Sequence, residues 1–136
     1  MKLMMIYCSE FSFTPTIKTL VNAEEKTEKE IFSEVLVAFI QAEEKDENEL
    51  TGTEKKLVKN LKWAAKKNEC KQVILHSFAH LSESKANPEF TQELFDKTET
   101  RMKNANYQCN QTAFGYFMDL NVQAPGYSQA RIFKSF

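Results

Sequence analysis

Two histidines stand four residues apart in His76-Ser77-Phe78-Ala79-His80. On a helix that spacing would put both imidazoles on one face, where they could share a metal ion. Here the stretch leaves a short apolar run, Val73 to His76, that reads as a buried strand, and no third ligand is evident. The competing reading makes His76 a packed histidine. It leaves His80 just past a strand end, where functional groups often sit and where an imidazole can act near neutral pH.

Ala113 to Met118 (AFGYFM) sets a glycine among aromatics. It reads either as a strand with a glycine bulge packing aromatics inward, or as a pocket wall. In a wall the missing side chain would let backbone N–H groups approach a ligand. A third candidate is a lysine stripe. At about 100° per residue, Lys55, Lys59, Lys62 and Lys66 stack on one side of a helix, and Leu57, Leu61 and Ala64 face the other way. The stripe is either a solvated face or a track for RNA phosphates, whose binding would weaken with salt. Trp63 lies toward the Lys56 side and reads as packed at the rim. The sequence contains no GxGxxG, phosphate-binding loop, HExxH, GxSxG or EF-hand pattern, which removes the common nucleotide, metal and serine-hydrolase readings.

These segments need a scaffold. Lys2 to Cys8 reads as a buried central strand. Glu10 to Thr16 alternates and reads as a second strand, with Pro15 closing it or marking an edge. Ile31 to Ala42 sets Val35, Val37 and Phe39 on one side and Leu36, Ala38 and Ile40 on the other, which predicts a strand covered on both faces. Asn22 to Lys29 and Glu43 to Glu49 read as charged connections. A helix capped by Thr51 or Thr53, with Glu54 in its first turn, runs to about Asn68. A second opens at Asn87-Pro88-Glu89 and buries Phe90, Leu94, Phe95, Thr98 and Met102. Gly115 to Val122 and Gln129 to Phe133 complete the order β-β-β-α-β-α-β-β, an α+β pattern.

The chain of 136 residues reads as one domain, 1–136, long enough to bury its own core. Its net charge of −1 means that any RNA contact must come from a local patch. Cys8, Cys70 and Cys109 have no zinc or disulfide spacing and read as free buried thiols in a reducing compartment. No apolar run nears the ~18 residues a span requires, and the opening run is too short for a signal peptide, so a soluble intracellular protein is expected.

Taken in order, several segments resemble the editing domain at the N-terminus of archaeal-type threonyl-tRNA synthetases. They are the apolar opening Lys2 to Ile6, Glu34 to Ile40 (EVLVAFI), Phe78 to Ser82 (FAHLS), Pro88 at the next helix start, and Ala113 to Tyr116 (AFGY), spread over nearly the whole chain. The resemblance implies a fold like that of D-aminoacyl-tRNA deacylases: a mixed β-sheet or partial barrel packed with two main helices, usually dimeric. It implies cytoplasmic hydrolysis of the ester joining L-serine, or a D-amino acid, to threonine tRNA, with no cofactor or metal. The partners it implies are the 3′ aminoacyl end of that tRNA, the catalytic part of a threonyl-tRNA synthetase and a second copy of the chain. Phe78, Ala79 and His80 would line one side of the pocket and Phe114, Gly115, Tyr116 and Phe117 the other, with His80 the polar side chain nearest to a catalytic role.

The sequence departs from the family at polar positions. Met118 stands where the family carries a functionally important lysine, and Phe117 where it carries a tyrosine. Tyr7-Cys8-Ser9 replaces His-Ser-Asp, Ser128 falls where a glutamate is usual, and Asn121 to Pro125 is altered. Three functions therefore stand beside one another: an editing deacylase, a non-catalytic tRNA-binding or structural module of a synthetase, and a small-molecule or D-amino-acid binder on the same scaffold.

Overall fold

A computed structural model describes residues 1–136. Its elements are β1 (Lys2–Lys18), β2 (Glu30–Gln41), a short 3-10 helix (Glu44–Asn48), α1 (Leu50–Lys67), β3 (Gln72–Ser77), α2 (Pro88–Asn104), β4 (Gln108–Gln111), β5 (Tyr116–Gln123), a 3-10 turn (Ser128–Ala130) and β6 (Arg131–Ser135). The expected α+β fold is present as one mixed, curled half-barrel sheet with two helices. The strand order is β4-β3-β2-β1-β5, with β6 also on β1.

The element order differs from the sequence reading in three places. The two opening strands are one continuous strand, β1, which carries Pro15 through a register shift between Pro15 and Ile17 rather than ending there. A proline lacks a ladder donor, and the irregularity absorbs that loss. The second difference is β4, which was not expected; it pairs parallel to β3. The third is the acidic connection after β2, which forms a 3-10 turn closed by reciprocal bonds between Glu43 and Asp46. In consequence α1 starts at Leu50 with Glu49 as its cap, ahead of both threonines. Glu54 is buried and pairs with Arg101 of α2 at 2.8 Å.

The apolar pattern explains the layers. Met1, with Leu3 and Met5 of the first half of β1, joins Leu36, Ala38 and Ile40 of β2 beneath the helices, which supply Leu57, Leu61, Leu94, Phe95 and Met102. On the opposite face Val35, Val37 and Phe39 pack with Cys8, Phe11, Phe13 and Ile74. β2 is thus buried on both faces, as its two-sided apolar pattern predicts. α2 begins as its sequence predicts: the Asn87 side chain accepts from the Phe90 N–H at 2.7 Å, and Pro88 opens the helix. Cys8, Cys70 and Cys109 are free and buried, and burial raises the thiol pKa to about 11 at Cys8 and about 12 at Cys109.

Candidate active site

The ends of β2 and β3, the start of α2 and the turn before β5 enclose a cavity of about 490 Å³. Phe78, Ala79, His80, Phe114, Gly115, Tyr116, Phe117 and Met118 all line it, so the two segments singled out by sequence meet across one space. Ala113 to Met118 is therefore a cavity wall. Its glycine lies in the turn before β5 instead of forming a bulge within the strand.

Gly115 adopts φ +86°, a conformation open to glycine at little cost. Its carbonyl accepts from Thr19 N–H at 2.7 Å and Leu20 N–H at 3.3 Å, which ties this wall to the exit of β1. Tyr116 does not offer its hydroxyl to the cavity. That group donates to the Glu24 carbonyl at 2.9 Å and accepts from the Lys26 N–H at 3.1 Å, bracing the charged connection. Phe114 sets its ring edge-on to Phe95 of α2, with centroids 6.0 Å apart.

The opposite wall is held by a residue that the sequence reading missed. Gln41, 3% exposed at the end of β2, donates from Nε2 to the carbonyls of Ser82 (2.8 Å) and Ser84 (2.9 Å). Its Oε1 accepts from the N–H groups of Leu81 (2.6 Å) and Ser82 (2.7 Å). One buried amide thus fills its whole donor and acceptor capacity on the loop after His80. Glu43 adds a bond from the Ser82 hydroxyl at 2.7 Å. Burial opposes charge on Glu43. Hydrogen bonds from the Met1 ammonium and Ser82 overcome it and hold the carboxyl down at about 2. A polar residue closing the apolar run EVLVAFI was the available signal for Gln41.

Four rings run through the site: Phe39 lies 5.2 Å from both His76 and Phe78, and Phe78 lies 4.9 Å from His80. His76 sits in β3 and His80 in the turn beyond it, so the helical metal spacing does not apply to them. His76 is buried and hydrogen-bonded through Nδ1 to Thr112 Oγ1 at 2.8 Å. Desolvation pushes its pKa down to about 4, so the ring is neutral at physiological pH. His80 is exposed at the cavity mouth, and Met118 is half-buried in the wall. The N–H groups of Ala79, His80, Phe114 and Gly115 donate to no protein acceptor. All four residues line the cavity, so these amides are left to water or to a bound molecule.

The lysine stripe lies elsewhere. Lys55, Lys59 and Lys66 are exposed on α1 and Lys62 is partly so; none lines the cavity and none has an ion-pair partner. Trp63 is 45% exposed on the same helix. Lys134 and Lys67 hold their ammonium groups 5.0 and 5.7 Å from its ring centroid. Ser128 begins the 3-10 turn before β6 and does not line the cavity. No helix is long and apolar enough to cross a membrane.

Comparison with known proteins agrees with this architecture. The chain is 28% identical over 135 residues to the threonine--tRNA ligase of Pyrococcus horikoshii, covering 97% of this chain and 22% of that protein. It is 26% identical over 132 residues to that of Nitrosopumilus maritimus, covering 96% and 20%. The chain thus spans about a fifth of the length of these relatives. A solved structure described as c-Myc DNA Unwinding Element Binding Protein superposes with a TM-score of 0.67 at 11% identity, over 100% of this chain and 99% of that one, a likeness of fold alone. The family described as the archaea-specific editing domain of threonyl-tRNA synthetase matches residues 1–136, and the chain belongs to it.

Proposed function

We propose that the chain hydrolyses the ester bond of mischarged threonine tRNA, releasing L-serine or a D-amino acid, in the cavity between the His80 and Gly115 segments. The observation that carries this reading is the four free N–H groups of Ala79, His80, Phe114 and Gly115. Ester hydrolysis develops negative charge on the carbonyl oxygen, and fixed amide dipoles in a partly desolvated site stabilise it without reorganising. His80, exposed at the mouth, would orient water or the terminal ribose. A second sieve is needed because one methyl group distinguishes threonine from serine and is worth only about 1–3 kcal/mol in synthesis.

The RNA body would lie on the unpaired lysines Lys55, Lys59, Lys62 and Lys66. The open edges of β5 and β6, with Phe117, Leu120, Val122 and Phe133 exposed, would be covered in a homodimer or against the catalytic part of a synthetase. Met118 favours a second reading, a non-catalytic tRNA-binding module, because a thioether supplies neither charge nor a strong donor where the family carries lysine.

A deacylation time course decides between them. It uses seryl-, threonyl- and D-aminoacyl-tRNA for threonine, with the native chain and Met118→Lys. Release of serine or a D-residue by the native chain, with L-threonine spared, is expected. Turnover only in Met118→Lys would mean an intact scaffold whose chemistry has been lost. Inertness of both would leave the binding-module reading.

A further inference from the structure

His76 has no part in that scheme, yet its placement is specific. It is the last residue but one of the buried strand β3, directly opposite Phe39 of β2, and is 5% exposed. It lines the same cavity. Nδ1 is engaged by Thr112 Oγ1 at 2.8 Å, whereas Nε2 has no protein partner. The side-chain oxygen or nitrogen that is fully enclosed and unpaired is Thr98 Oγ1, so Nε2 keeps some accessible surface, on a residue that lines the cavity. A buried polar atom without a partner is costly unless something else supplies one. Phe39 and Phe78 flank the ring edge-on and tilted, which fixes its plane.

We propose that His76 is a specificity-determining residue whose Nε2 hydrogen-bonds a hydroxyl on the side chain of the bound aminoacyl group. This rests on the reading of the cavity as the aminoacyl site. Two features select a hydroxyl. The imidazole is neutral, held so by its burial, and offers no charge to a carboxylate. The Thr112 hydroxyl can either donate to Nδ1 or accept from it, so Nε2 either accepts or donates. A hydroxyl satisfies both tautomers, whereas an ammonium satisfies one and a methyl group neither. A site that hydrogen-bonds a hydroxyl rejects the analogue lacking it, because its own polar atom is then left unpaired.

The test uses stable amide analogues, 3′-deoxy-3′-aminoadenosine carrying L-serine or L-alanine, titrated calorimetrically into the native chain, His76→Phe and Thr112→Val. The nitrogens of His76 are followed by 15N NMR. The serine compound should bind about tenfold more tightly than the alanine compound to the native chain. It should shift the Nε2 resonance, and the preference should fall to within about twofold in His76→Phe. Thr112→Val conserves shape and frees the ring, so it should reduce the preference with the fold retained, which guards against a folding defect in the phenylalanine variant. A serine preference that survives both substitutions, with no Nε2 shift, overturns the role of His76 and leaves the proposed site standing. Failure of the native chain to bind either compound overturns the site and the inference together.

Discussion

Replacing Gly115 by alanine tests whether the cavity wall depends on a conformation open only to glycine. At φ +86° an L side chain is strained by about 1–2 kcal/mol. The added Cβ would also lie 2.8 Å from Ala23 Cβ and 3.3 Å from Leu20 Cβ and Cδ1, closer than carbon atoms approach without moving. Displacing the 19–23 turn stretches the bonds from Thr19 and Leu20 to the Gly115 carbonyl, each worth about 1 kcal/mol. The sum is a destabilisation of about 2–4 kcal/mol. Urea unfolding at pH 7 reads this as a lower midpoint with an unchanged slope. Adding Ala23→Gly removes the contact and leaves the backbone strain, so a double-mutant cycle should show about 1 kcal/mol of favourable coupling. The reasoning fails if Gly115→Ala costs less than about 0.5 kcal/mol, or if the cycle shows no coupling.

Two further outcomes follow from the site and from α1. The native pKa of His76 is lowered from 6.5 to about 4, so between those values the unfolded chain binds a proton that the native chain refuses. The stability this confers is complete above about 6.5 and is lost as pH falls toward 4, a loss of about 3 kcal/mol at about 1.4 kcal/mol per pH unit. Unfolding curves of the native chain and His76→Phe should converge in that window. Glu43, held at about 2, adds its own loss only below 4.5 and cancels in the comparison. Parallel curves would show that the imidazole is not desolvated. On the helix, Lys59→Glu with Lys62→Glu should weaken threonine tRNA binding and lower the salt slope by about 1.5, measured by filter binding at several ionic strengths. An unchanged slope would reduce the stripe to solvated surface.

The parts of the fold that were legible are those where pattern and propensity agree. α2 announces itself through Asn87-Pro88 and the spacing of Leu94, Phe95, Thr98 and Met102, and β2 through apolar residues on both faces. β1 was misread because its apolar phase changes: Met4, Ile6 and Cys8 share a face with Phe11 and Phe13, an odd step apart. The change occurs opposite Glu34, which takes φ 53° between the pairs Cys8–Val35 and Glu10–Ser33. Sequence alone shows that step as a break between two strands. β4 carries only one buried residue, Cys109, and exists by pairing to β3, which leaves no local signal. Both site segments were visible because glycine, aromatics and histidine crowd together there. Thr112 and Gln41 were not, because their value lies in partners 36 to 43 residues away.

β1 holds β2 along one edge and shares its other edge between β6, on residues 2–6, and β5, on residues 10–18. β1 precedes every other strand in the sequence yet is completed last, because Lys2 meets Ser135 across 133 residues of chain. Such non-local closure gives a high contact order, and folding should be slow beside helical domains of this size. Until β6 docks, the nascent hairpin of β1 and β2 offers an unpaired edge beside Met4 and Ile6, the state in which strands recruit foreign partners. Deleting Arg131–Ser135 would therefore strip the pairing from residues 2–6 of the strand that organises the sheet, and the shortened chain should be lost to aggregation during synthesis.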